Sequence, residues 1–265
     1  MSPAVPSWLG VATSVVLVGM CLAVVVREQL GLSRDVVIAS VRAVVQLAAV
    51  GALLGVLFRF AGLPGSLLWV TGMVLVGGRV AGHRGAGLPR AYLVATVALT
   101  AGVVATLGLL LVARVVQVEP RVVVPVGGMV VSAATRGTSV VLLRLREEAV
   151  SARRFVEARL ALGLPGSEAF APHRRQALRT ALVTDIDAVR TVGLISLPGA
   201  MTGLLLAGVE PLTAIRYQVV VMYMLLGAVA VSGAVAARLT TGLLFDDAER
   251  LVVLPEAGRR AAAIR

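Results

Sequence analysis

Lysine is absent from this sequence, cysteine occurs once, histidine twice, and aromatic residues make up only 4% of its 265 positions. A P-loop sets a lysine on the nucleotide phosphates, so a chain without lysine has no Walker A site. With Cys21 alone, neither an intramolecular disulfide nor a cysteine-based zinc cluster can form. His83 and His173 fall in separate polar stretches, which leaves no donor set for a dedicated transition-metal cage. Acidic residues are missing from the middle of every long apolar block, where a proton- or sodium-coupled carrier generally needs a carboxylate.

What is abundant is apolar surface. Residues of apolar type make up 58% of the chain and charged ones 15%, more apolar area than one soluble core of this size can bury. The excess comes in blocks of about 20 residues, the length at which a helix rising about 1.5 Å per residue crosses a hydrocarbon layer of about 30 Å. Alternating segments of about ten residues, as a membrane β-barrel requires, are absent. The fold class predicted is therefore all-α: a polytopic transmembrane helix bundle of about seven spans, near residues 8–26, 36–58, 66–82, 91–113, 122–143, 191–209 and 212–237. The third is short and glycine-rich, and Arg136 interrupts the fifth.

The formal charge of +11 is carried by 25 arginines. They cluster between and after the apolar blocks, which points to topology and anionic lipid headgroups rather than nucleic acid. No positive side chain precedes the first block while Arg27 follows it, so an external N-terminus and an uncleaved first span are expected. Seven spans then put residues 27–35, 83–90, 144–190 and the C-terminal tail in the cytosol. These regions with their flanking helix ends hold 18 arginines, against Arg59, Arg114 and Arg121 outside. The expected location is the inner (plasma) membrane, with the N-terminus outside and the C-terminus cytosolic.

Residues 1–240 form the expected membrane domain and 241–265 a cytosolic tail, charged, alanine-rich and mobile from Gly242 onward. The linker 144–190 is the one sizeable soluble element and reads as helix, break, helix. From Arg144 to Leu162 there is neither Gly nor Pro, and Arg144 with Glu148 and Arg153 with Glu157 are spaced as i,i+4 pairs, so the fifth span is predicted to continue as a helix. Gly163 and Pro165 stop it. Ser167 is the expected N-cap of a short helix, Pro172 a second break, and 173–185 a basic amphipathic helix leading back to the sixth span.

Candidate functional positions inside the spans are few. Arg42 lies six residues into the second span and Arg136 seven residues from the end of the fifth, each about 10 Å deep at about 1.5 Å per residue. Either both snorkel to headgroups or satisfy carbonyls, or they face one inward-opening cavity with Gln46, Thr135 and Ser139. A central arginine costs roughly 2.5 to 3.5 kcal/mol on insertion scales, which makes an idle pair less comfortable. The spacings Gly51 with Gly55 and Gly199 with Gly203 permit close helix approach. Pro125 and Pro198 either pack simply or open the backbone at a substrate path. Met129, Met201, Met222 and Met224 either fill gaps or offer soft sulfur.

Four stretches carry a resemblance. EARLALG at 157–163, followed by a break and a short helix, looks like the coupling-loop motif of ABC permeases, in which a Glu-Ala pair precedes a glycine and a short helix docks on the ATPase. TVGLISLPGAMTGLLLAGVEPLTAIRYQVVVMYMLL at 191–226 strongly resembles the FetB family of iron-export ABC permeases, whose plant relatives are linked to aluminium tolerance. DVVIASVRAVVQLAAVG at 35–51 and VVPVGGMVVSAA at 123–134 extend the likeness over nearly the whole chain.

The resemblance implies a transport subunit rather than an enzyme, without catalytic residues or cofactor of its own. It implies a homodimer of permease chains working with two copies of a separate ABC ATPase to export a metal ion or other small solute. Glu157, Ala158, Gly163, Ser167 and Glu168 are the coupling residues so implied, and Arg42, Gln46, Met129, Arg136, Pro198 and Met201 the candidate substrate path; metal ligands stay unassigned. A secondary carrier not coupled to ATP is the rival reading, weakened by the missing carboxylates. A membrane-embedded enzyme is the third, weakened because no nucleophile, histidine and acid recur at one depth.

Overall fold

The computed structural model describes residues 8–60, 62–195, 197–246 and 248–254, and every regular element among them is an α-helix. In chain order these are α1 (Trp8–Arg27), α2 (Ser33–Phe60), α3 (Gly62–Arg84), α4 (Ala91–Val112), α5 (Pro120–Ser151), α6 (Arg153–Ala161), α7 (Gly166–Ala169), α8 (Ala171–Thr191), α9 (Gly199–Leu206) and α10 (Pro211–Leu243). Five are long and apolar enough to cross a membrane: α2 over Ser33–Gly55, α3, α4, α5 and α10; α1 is apolar over the shorter stretch Ala12–Arg27. The protein is a multi-pass helical membrane protein. Its exposed surface is lined with Val and Leu side chains such as Leu47, Leu68 and Val112, as lipid contact requires.

α3, α4, α5 and α10 form the tightly packed centre, and α8 lies against α5 and α10. Glycine lets these helices touch. A Cβ at Gly82 on α3 would sit 2.8 Å from the Tyr92 Cα on α4, and one at Gly137 on α5 would sit 2.7 Å from a Val229 methyl on α10. Without hydrophobic drive between helices in lipid, such backbone approach supplies much of the packing energy. The spacings singled out in the sequence do not act this way: Gly51, Gly55, Gly199 and Gly203 have nothing within 4 Å of a built Cβ, because α2 and α9 lie at the periphery of the chain.

Pockets at the two ends show which helix termini share a level. Residues 115–126 and 213–224 line one cavity, so α5 and α10 start together and run in the same direction. At the other end α5 and α10, with 32 and 33 residues, extend to about 48 and 50 Å, well past a layer of about 30 Å. α6, α7, the start of α8 and the C-terminal segment cap that end.

Four local expectations give way to tertiary packing. The arm expected to run unbroken from the fifth span to Leu162 turns at Ala152, and this turn carries Val156 into full burial. Ser167 is not the cap: α7 begins at Gly166 with Pro165 at the N-cap position. Pro172 does not break a helix but sits in the first turn of α8, where its missing N–H leaves nothing unsatisfied. The tail is folded as far as it is described, since Leu244 is fully buried and Leu251 nearly so, with an antiparallel bridge between Phe245 and Leu251. Residues 255–265 of the expected mobile tail lie outside the described residues.

The stretch 191–209, expected as one span, is divided. α8 runs on to Thr191, the chain is non-helical from Val192 through Pro198 apart from the undescribed Ser196, and α9 takes up the last eight helical residues. Gly193 at φ +79° and Pro198 as the N-cap of α9 mark the two ends of the break. Pro125, by contrast, is carried inside α5 without interrupting it.

Candidate functional site

The cap of the bundle is built around a four-residue helix. α7 stands between α6 and α8, and its small inward residues Gly166 and Ala169 are buried with the fully buried Phe170 that follows. Gly163 ends α6 at φ +85°, a left-handed conformation that a residue without Cβ adopts freely. Arg159 donates to the Ala169 carbonyl at 3.2 Å, tying α6 to the end of α7. His173 Nδ1 lies 2.6 Å from Glu148 Oε2, tying α8 to α5, and the Phe170 ring lies 5.5 Å from that of His173 and 6.4 Å from that of Phe245. Ser167 and Glu168 are left exposed on the outer side.

The predicted pairs are partly realised. Arg153 and Glu157 meet at 2.6 Å as spaced. Arg144 turns to Glu147 at 2.8 Å, because Glu148 is held by His173. Phe155 and Leu162 are 73% and 80% exposed at this end.

Within the bundle the polar group is smaller. Arg136 on the exposed side of α5 donates to Ser132 Oγ at 3.1 Å, and its other terminal nitrogen lies 3.9 Å from Asp185 Oδ1 on α8. Thr135 and Ser139 border it, both half-buried, and Thr135 donates back to the Val131 carbonyl. Nothing local in the sequence marks Asp185 as a partner; the two residues meet because α8 runs back antiparallel to α5. The packing of Leu178 and Val141 around Gly233 places the two helices in that register.

The other expected path residues are not gathered there. Arg42 and Gln46 lie on α2, exposed and without a partner among the described residues, and α2 has α1 and α3 as its principal neighbours. Met129 packs half-buried against the core on α5, one turn before Ser132. Pro198 and Met201 belong to the start of α9; the Thr202 hydroxyl donates to the Pro198 carbonyl at 3.2 Å. Met224 is buried in the core. Among the described residues, no three or more His, Cys, Asp or Glu side chains cluster as metal ligands would.

The chain has recognisable relatives. It is 40% identical over 240 residues to the UPF0014 membrane protein STAR2 of Oryza sativa subsp. japonica, covering 91% of this chain and 84% of that one. It is 35% identical over 240 residues to the protein ALUMINUM SENSITIVE 3 of Arabidopsis thaliana, covering 91% and 88%. With the probable iron export permease protein FetB of Escherichia coli (strain K12) it shares 31% identity over 242 residues, covering 91% and 93%. No solved structure matches the chain. The model of the uncharacterised protein family UPF0014 matches residues 8–245, from the first apolar helix to the turn after α10, and the chain belongs to that family.

Proposed function

We propose that this chain is the membrane-spanning permease subunit of an ABC exporter. Two copies would work with two copies of a separate ATPase, in the plasma membrane with the capped end in the cytosol. The observation that carries this reading is α7: a short helix outside the spans, gripped on one side and exposed at Ser167 and Glu168 on the other, between arms that continue from α5 and toward α9. An ATPase movement applied there reaches α5 through α6 and Arg159, and α8 through His173 and Phe170. Phe155 and Leu162 offer the apolar contacts that such a partner would bury.

The cargo is a metal ion or another small solute leaving the cytosol; iron is suggested by the bacterial relative, a probable iron export permease. Its path follows α5 inward from the capped end, past Arg136, Ser132 and Met129, toward the break at Val192–Pro198. Thr191 is six residues beyond Asp185, about 9 Å further along the helix axis, so the break falls deeper than Arg136. Non-helical backbone at membrane depth is tolerated where it lines a water-filled cavity or is buried in protein. The non-helical carbonyls there are oxygen ligands for a cation, in a chain whose spans are poor in acids. Arg42 and Gln46 belong to the same path if the second copy brings α2 to it.

The test is reconstitution. Proteoliposomes holding this chain and its ATPase should show ATP-dependent movement of iron or another metal ion, and neither component alone should. Ion movement by the chain alone, driven by an ion gradient, would assign it to the secondary carriers instead. A deletion strain should show raised metal sensitivity and intracellular metal content.

A further inference from the structure

A polar cavity of the described residues lies apart from α7 and from the Arg136 group. It has a volume of about 1270 Å³ and opens between α2, α3 and α4. Arg79, His83 and Arg84 from the last turns of α3 line it, with Tyr92 from the first turn of α4 and Asp35 from the first turn of α2; Leu75 and Val80 form its apolar wall. It opens at the capped end, because the α3–α4 loop rests on α5 there: a Cβ at Gly87 would meet the Arg146 guanidinium at 3.3 Å, and one at Gly85 the Leu142 side chain at 3.0 Å.

Two features separate this cavity from an ordinary basic rim. First, the side chains of Arg79, His83 and Arg84 have no hydrogen-bond or ion-pair partner among the described residues, Asp35 included, although it lines the same space. Arg79 is the telling one, since it lies inside a membrane-crossing helix, where an arginine needs an anion, a carbonyl or water. Second, the cavity is amphipathic along its length. Arg79 follows Leu75 by one turn and His83 follows Arg79 by another, so an apolar wall leads up to a cationic mouth on one face of α3. The close approach of α3 and α4 at Gly82 sets Tyr92 beside that mouth, in the interfacial zone where tyrosine is favoured.

We propose that this cavity binds the phosphate of an anionic lipid from the leaflet at the capped end, with Arg79 and Arg84 on the phosphate oxygens, His83 and the Tyr92 hydroxyl as further donors, and an acyl chain along Leu75 and Val80. Arginine forks match phosphate oxygens, and a desolvated phosphate answers the unpaired Arg79. The site needs neither ATPase nor transport, so its test stands apart from that of the exporter reading.

The experiment uses the purified full chain in micelles supplied with phosphatidylcholine alone or mixed with phosphatidylglycerol, read by native mass spectrometry for lipid kept per chain. The parent should retain phosphatidylglycerol over phosphatidylcholine. Arg79→Gln and Arg84→Gln should each weaken this about fivefold, and Arg79→Lys should restore most of it. The opposite-end pair Arg114→Gln and Arg121→Gln should leave it unchanged. A parallel arm adds inorganic phosphate in phosphatidylcholine alone and follows thermal stability. If phosphate stabilises the parent but not Arg79→Gln while phosphatidylglycerol is not retained, the occupant is a soluble anion and the lipid assignment is overturned. Equal retention by the parent and Arg79→Gln, or an equal loss in the opposite-end pair, overturns the site altogether.

Discussion

The amide of Gly166, first residue of α7, donates to the carboxylate of Glu249 at 2.5 Å across 83 residues of sequence. A Cβ at Gly166 would lie 2.5 Å from the Phe245 ring, so the C-terminal hairpin is seated directly on the inner side of the short helix. The segment after α10 is thus part of the element assigned to coupling.

Replacing Glu249 by Ala should loosen that seat. A hydrogen bond to a charged acceptor contributes about 1.5 to 3 kcal/mol, and this one is only part-buried. Hydrogen exchange of the amides from Gly166 to Phe170 should speed about tenfold, while span amides stay protected. Unchanged exchange in this segment would show that the hairpin does not hold α7.

The hairpin should also respond to acid in one direction. The Arg250 amide and then its guanidinium hold the Asp246 carboxyl below its ordinary value of 3.8. A lowered folded value means that the contribution is present above 3.8 and fades as pH falls through the folded value. Parent and Asp246→Asn should therefore differ in protease sensitivity near Leu251 at pH 7 and converge in strong acid. A difference that grew on acidification would contradict this.

Gly163→Val tests the turn that ends α6. A non-glycine residue at left-handed φ costs about 1 to 2 kcal/mol, and a β-branched one is the least tolerant. Transport-linked ATPase activity should fall while the protein still inserts at normal abundance. Parental activity would remove this segment from the coupling path.

Arg136 and Asp185 should behave as a unit in transport. Arg136→Gln and Asp185→Asn each leave a partner stranded, so the double variant should be less impaired than the sum of the two, by about 0.5 to 3 kcal/mol of interaction energy. Strictly additive losses would mean that the 3.9 Å approach carries no function.

The purified chain should hydrolyse no ATP above background, since it has no lysine for a P-loop. Turnover in a preparation freed of contaminating ATPases would refute the division of labour proposed above.

Composition alone determined that this protein lives in a bilayer as helices, because 58% apolar residues in blocks of span length admit no other solution in lipid. Local chemistry likewise determined the turn at Gly163 and the Arg153–Glu157 pair, whose causes lie within a few residues of chain. Other features were decided by packing between distant segments. Ala152 breaks a good helical run because Val156 gains full burial, and Glu148 abandons Arg144 because His173 arrives from α8. Gly78 and Gly82 make the close helix contacts that the equally spaced Gly51 and Gly55 do not. Spacing tells which residues share a helix face; only the tertiary structure brings a second helix to that face, as it brings Asp185 to Arg136 and Glu249 to Gly166.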